Sequence, residues 1–250
     1  MQYPTPRQLR PGLVIASPFS GSKKERSFQG SHRTRYLTTG QPGTSAHEVK
    51  ALDCRLYAVS ATLPRLRPQI QALIESIGPL DGMESAHKVL ALEWIASGAG
   101  LFRIHKPDIP SPHLVSYFVV VDLGANQLLL VDHRNAGLWL PTGGHVEPGE
   151  HPRKTVEREV REELGIEAQF LFEDPLFVTV AETVGLTAGH TDVTLWYALQ
   201  GDISAQLAFD REEFLGVRWF GAEEIPHKRS DPNLRRFLRK LYRLLGRELD

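Results

Sequence analysis

The stretch GHVEPGEHPRKTVEREVREELGI, from Gly144 to Ile166, decides how the chain is read. It begins as a glycine- and proline-rich loop and continues as a helix. His151 stands at the cap position and Pro152 at the first helical position, where the missing N–H costs nothing and φ is already set. Val156, Val160 and Leu164 follow at i, i+4 and i+8, so they share one face and predict its burial. Glu159, Glu162 and Glu163 fall at i, i+3 and i+4 on another face. Three carboxylates so close together repel and weaken a bare helix unless cations neutralise them or basic side chains interleave. Hard divalent cations take oxygen ligands, and Mg²⁺ uses a few carboxylates together with waters and substrate phosphates. The plainer explanation is a solvated acidic face with Arg158 and Arg161 as intrahelical partners. For an isolated EREVREE string that explanation would stand.

The spacing around the string displaces it. Gly144, five residues, Glu150, seven residues, Arg158-Glu159, aliphatic Val160, one residue, Glu162-Glu163, one residue, Gly165 and aliphatic Ile166 resemble the Nudix box at every defining position. The strand pattern flanking it extends the resemblance to about 113–245. The resemblance implies an α+β Nudix fold, a mixed β-sheet sandwiched between helices, with the box forming a loop–helix–loop that binds metal. It implies that Glu159 and Glu163, with Glu162 assisting, hold Mg²⁺ or Mn²⁺ against a substrate diphosphate. A backbone carbonyl at Gly143 or Gly144 would be a further ligand. Glu150 and Arg158 would be structural, pairing to brace the loop against the helix. The metal would neutralise the diphosphate and lower the pKa of a water that attacks phosphorus. The resemblance leaves the general base open between Glu159 and Glu213, whose distance from Trp219 is similar to that of a loop glutamate in the mutator-type subgroup. Against it, Glu212 and Glu213 also read as solvated loop charges.

Outward from the box, the pattern divides the chain. Residues 1–46 are rich in Pro, Gly, Ser and Thr, basic and without sustained period, which predicts a disordered tail. Residues 47–100 are helical in period, with Leu63, Leu66, Ile70, Leu73, Ile74 and Ile77 on one stripe. A second stripe of Val89, Leu90, Leu92 and Ile95 follows a start near Asp81. The segment 101–112 reads as a proline-containing linker. Strands are expected over Leu114–Asp122, Gln127–Val131, Gln169–Phe172, Phe177–Glu182, Asp192–Leu199 and Val217–Phe220, with a loop over Pro141–Gly149. A C-terminal helix is expected with Ser230 or Asp231 as its cap, its leucines buried and its basic residues solvated.

Composition bounds what remains. Hydrophobic residues at 41% and charged residues at 24% are ordinary for a soluble domain. A formal net charge of −1 gives no global pull towards nucleic acid or an anionic membrane, so a small-molecule nucleotide is the expected partner. The single cysteine, Cys54, excludes an internal disulfide and a Cys-based zinc cage and fits a cytoplasmic location. No apolar run approaches the roughly 20 residues that cross a bilayer. Oligomeric state is not legible.

Other side chains read as ordinary. His133, Arg134, His145 and His190 with Asp192 show no convincing zinc spacing. Trp139 and Phe118 could stack on a base but are as easily core. The group carried on the diphosphate is not specified by a Nudix box. The signatures outside the box that mark NADH pyrophosphatases, coenzyme A hydrolases, ADP-ribose hydrolases and diadenosine-polyphosphate hydrolases do not match here, so by elimination the chain is most similar to a nucleoside triphosphate pyrophosphatase of mutator type. The alternatives are a non-catalytic Nudix module that binds a nucleotide and regulates, and Nudix-fold isomerase chemistry, which would want a cysteine in the cleft.

Overall fold

The computed structural model describes residues 66–105, 109–183 and 189–248. The tail 1–46, Cys54 and the start of the helical region therefore lie outside the described residues.

Among the described residues two helices come first, α1 over 66–76 and α2 over Gly82–Ala96. Asp81 caps α2 by accepting the Glu84 N–H at 2.9 Å, a reason for the helix to start there. The sheet follows: β1 His113–Asp122, β2 Gln127–His133, β3 Leu138–Leu140 and β4 Thr142–His145. After α3, Pro152–Leu164, come β5 Phe177–Glu182, β6 Thr191–Gln200 and β7 Phe214–Phe220, and then α4, Leu234–Leu244. The path through the sheet is β3-β2-β1-β6-β5, with β4 on β1 and β7 on β2. β1 and β6 run parallel and the other pairs antiparallel, so the sheet is mixed.

Alternation along β1 gives the sheet two buried faces. Leu114, Phe118 and Val120 join Val156, Val160 and Leu164 of α3, while Val115, Tyr117, Val119 and Val121 join Phe237, Leu238 and Leu241 of α4. Burial on both sides is why β1 is an almost unbroken apolar run. The helices on either face make the sandwich that the sequence implied. α2 packs along the outermost strand of the path, β5. It thereby covers an edge that would otherwise be open to pairing. Two contacts fasten it to α4: Arg236 forks onto Asp81, and Lys240 pairs with Glu84, which is wholly buried.

The expected elements differ in detail. Pro141–Gly149 is not all loop, because Thr142–His145 pairs with β1 as β4. The segment Gln169–Phe172 makes only one bridge, Phe170 to Leu199, before Pro175, which has no N–H to extend a ladder. Of the expected α2 stripe, Ile95 is buried and Leu92 packs on the core, but Val89 and Leu90 are half exposed, and Glu84 and Ala91 are buried in their place. The regular helix α4 begins after Asn233, which makes no capping bond of its own; of the two expected caps it is Asp231, two residues upstream, whose side chain accepts the Asn233 N–H at 2.7 Å. Lys240 is buried, not solvated, because Glu84 receives it. Leu101 and Phe102 of the expected linker are buried in the core.

Candidate functional site

The local sequence builds α3 as read. His151 Nδ1 accepts the Arg153 N–H at 3.2 Å, Pro152 starts the helix, and Gly165 closes it in the left-handed region at φ 68°. Val156, Val160 and Leu164 are fully buried, which fixes the rotation of the helix and turns its carboxylates towards β4.

Those carboxylates meet one dipeptide. Glu163 is 2% exposed, and its Oε2 accepts the Gly143 N–H at 3.2 Å. Glu159 is 4% exposed and lies over Gly144, where a Cβ would stand 2.0 Å from Glu159 Oε1. Glu162 is the open member of the three, with its side chain 47% exposed and Oε2 3.7 Å from Arg158 Nη1. Gly144 pairs with Ser116 of β1, so the dipeptide is held by the sheet.

Arg158 ties the loop to the helix. Its Nε donates to Glu150 Oε1 at 3.0 Å and its Nη2 to Glu150 Oε2 at 2.9 Å, a two-point fork. Nη2 also reaches the His145 carbonyl at 3.3 Å, and Nη1 donates to Glu159 Oε1. Thr155 Oγ1 and the Glu147 N–H complete the Glu150 carboxylate. Burial alone would push the Glu150 carboxyl up, but the Arg158 fork, together with the Glu147 N–H and the Thr155 hydroxyl, holds it below the usual range. Burial likewise opposes the charge on Arg158, and Glu150 and Glu159 more than restore it.

Glu213 is buried just before β7, with Oε1 3.4 Å from His133 Nε2. His133 Nδ1 accepts the Ala136 N–H at 3.2 Å, so the neutral ring carries its proton on Nε2, facing Glu213. The chain leading to Glu213 is docked on the end of α3. The Ala208 N–H bonds the Leu164 carbonyl at 3.1 Å, and the Asp210 N–H bonds the Glu163 carbonyl at 3.2 Å. Glu212 is exposed on the same turn, and Arg134 Nε donates to its carbonyl at 3.2 Å.

Of the two side chains considered for base stacking, one is enclosed in the core and the other is half-buried. Phe118 is fully buried in the core, and Trp139 packs edge-on against Phe220 at 5.1 Å. The histidines come out differently. His145, His190 and Asp192, which lack zinc spacing in sequence, gather with His113 so that their ligand atoms all lie within 4.8 Å of one another. No linear spacing shows this, because strand register makes the group.

The donor set at the box is all oxygen: two buried carboxylates, one exposed carboxylate and nearby backbone. This set fits a hard divalent cation such as Mg²⁺ or Mn²⁺. The NUDIX domain family matches residues 112–241, just over half of the 250-residue chain, and the chain belongs to the Nudix family. It is similar to the asymmetrical bis(5'-nucleosyl)-tetraphosphatase of Mus musculus, 37% identical over 86 residues, which are 34% of this chain and 57% of that protein. It is also similar to the NAD-capped RNA hydrolase NudC of Stutzerimonas stutzeri, 32% identical over 148 residues, which are 57% of this chain and 48% of that protein. The chain thus spans about half the length of these relatives. A C. elegans Ap4A hydrolase crystallised as a binary complex aligns at TM-score 0.46 and 21% identity, over 53% of this chain and 97% of its own. Among the described residues, no helix is long and apolar enough to cross a membrane.

Proposed function

We propose that the chain hydrolyses a phosphoanhydride bond in a nucleoside diphosphate linked to another moiety, using Mg²⁺ or Mn²⁺. The observation that carries this reading is the convergence of Glu159 and Glu163 on Gly143-Gly144. Burying two carboxylates side by side costs free energy that a bound cation returns. Glu159, Glu163 and the more exposed Glu162 would hold the cation, with the Gly144 carbonyl as a further donor. When bound, the metal supplies charge neutralisation and an acidified water. Arg158 and Glu150 position Glu159: the guanidinium is fixed by the Glu150 fork and in turn fixes the Glu159 carboxylate. The general base is Glu159 or Glu213, and variants of each discriminate them below.

A non-catalytic nucleotide-binding module is the second reading, and its usual sign, a lost box carboxylate, is absent from Glu159, Glu162 and Glu163. The loop spacing at Glu213 favours nucleoside triphosphates, including oxidised ones, as substrates. The likeness to a tetraphosphatase and to a hydrolase of capped RNA adds dinucleoside polyphosphates and NAD-type caps as competing classes. The deciding experiment is a panel of these substrates with ADP-ribose and sugar nucleotides, assayed with Mg²⁺ and scored by product. Cleavage within a diphosphate of one class supports the proposal. Binding without cleavage across the panel supports the regulatory module.

A further inference from the structure

A second cluster of ligating groups lies away from the box carboxylates. His113 begins β1, His145 ends β4, and His190 and Asp192 stand at the start of β6. The antiparallel pairing of β4 and the parallel pairing of β6 with β1 bring these three strand ends together. His113 is the register partner of Asp192, and His145 that of Val115. Strand alternation then sets His113, His145 and Asp192 on the sheet face opposite α3, the parity of Val115 and Tyr117. All four side chains are buried. The His113 ring is 4.8 Å from that of His145 and 4.9 Å from that of His190, centroid to centroid.

The hydrogen bonds orient the rings. His113 Nδ1 lies 2.8 Å from the Pro110 carbonyl, which can only accept, so Nδ1 carries a proton. In the neutral ring Nε2 is then a lone pair, and it faces Asp192 Oδ1 at 3.2 Å. Two acceptors at that distance repel unless a proton or a metal ion joins them. The same Oδ1 is 3.3 Å from His190 Nε2, while His190 Nδ1 meets Thr183 Oγ1 at 3.1 Å. A backbone or hydroxyl partner on one ring nitrogen, with the other turned to a shared centre, is the arrangement of metal-ligating histidine. Donors about 2.0 Å from a tetrahedral zinc ion are about 3.3 Å from one another. The two distances to Asp192 Oδ1, 3.2 and 3.3 Å, match this geometry, and all four ligand atoms lie within 4.8 Å of one another.

We propose that His113, His145, His190 and Asp192 bind one zinc ion that clamps the ends of β1, β4 and β6. Three imidazoles and one carboxylate select zinc over the harder Mg²⁺. Four protein ligands close the coordination sphere, so the site is structural. The clamp ends on the residue after Gly144 and so steadies the strand that the box carboxylates lean on. The His145 carbonyl, also held by Arg158, joins the two sites through backbone.

The test uses the full chain without a histidine tag, stripped with chelator, given zinc in the presence of excess Mg²⁺, and measured by elemental analysis after gel filtration. One zinc per chain is expected in the wild type and in Glu159→Gln/Glu163→Gln, with a higher melting temperature than the stripped chain. Thr183→Val, which removes the hydroxyl that supports His190, should weaken zinc affinity about 10- to 100-fold. His113→Ala and Asp192→Asn should abolish stoichiometric binding. Cobalt in place of zinc should give the intense visible bands of a tetrahedral ion, which an all-oxygen octahedral box site does not give. Far less than one zinc per chain in the wild type would overturn the proposal, as would weak octahedral cobalt bands or zinc lost with the box variants and kept in His113→Ala. The wild-type measurements decide even if the histidine variants fail to fold.

Discussion

Glu159 occupies the space in which any residue but glycine at position 144 would carry its side chain: a Cβ there would lie 2.0 Å from Glu159 Oε1 and 2.4 Å from its Cδ. Gly144→Ala must therefore move a carboxylate that Arg158 also holds. Since a misplacement of about 1 Å in a catalytic group can cost about 100-fold in rate, turnover should fall by about that factor. The Mg²⁺ concentration for half-maximal rate should rise with it. Steady-state kinetics against Mg²⁺ check this; an unchanged turnover number would remove Glu159 from the site.

The Glu150–Arg158 fork should show in acid. The folded carboxyl lies below its ordinary value, so its stabilisation is fully present above the unfolded value of about 4.3 and is lost as pH falls through the folded one. Glu150→Gln should therefore cost about 1–2 kcal/mol at pH 7, with the two stability curves converging below about pH 4. Urea unfolding across pH tests it. A constant gap down to the lowest pH would mean that the ionised fork is not what holds the loop.

Lys240 and Glu84 join α4 to α2 inside the protein. Lys240→Met strands a buried carboxylate and should destabilise the chain by about 3–5 kcal/mol, whereas adding Glu84→Gln should recover most of that loss. A double-mutant cycle in urea measures the coupling. Additive losses would mean that the two groups do not act as a pair.

Glu213 and Glu212 are neighbours with opposite surroundings, one buried against His133 and one exposed. If Glu213 serves the reaction, Glu213→Gln should lower kcat strongly with little change in KM, and Glu212→Gln should be nearly silent. Loss of the base should also remove or displace the acidic limb of the pH–rate profile. Full activity in both variants leaves Glu159 as the base.

What the sequence made legible was local. The start and end of α3 follow from His151, Pro152 and Gly165, and the start of α2 from Asp81, because caps are written in adjacent residues. The box residues were legible because their spacing is that of one loop and one helix. Burial of Lys240 was not, since its partner Glu84 is distant in sequence and only packing brings the two together. Nor was the half-exposure of Val89 and Leu90, because a stripe of apolar residues does not say which way its helix is rotated. The His113 cluster is the clearest case. Its four members come from three strand ends, and only the parallel register of β1 with β6 and the antiparallel register with β4 unite them.

The role of the buried box carboxylates is tested most directly by Glu163→Gln. This change keeps the shape of the group and its place beside the Gly143 N–H, and removes only the charge that a cation would neutralise. Hydrolysis of the best panel substrate should vanish with chelator in the wild type and return with Mg²⁺ or Mn²⁺. In Glu163→Gln it should be lower by about 100-fold or more at saturating Mg²⁺, a loss of transition-state stabilisation of about 2.7 kcal/mol, with an unchanged melting temperature. Turnover near that of the wild type, in a variant folded as well as the wild type, would contradict a metal-holding role for Glu163.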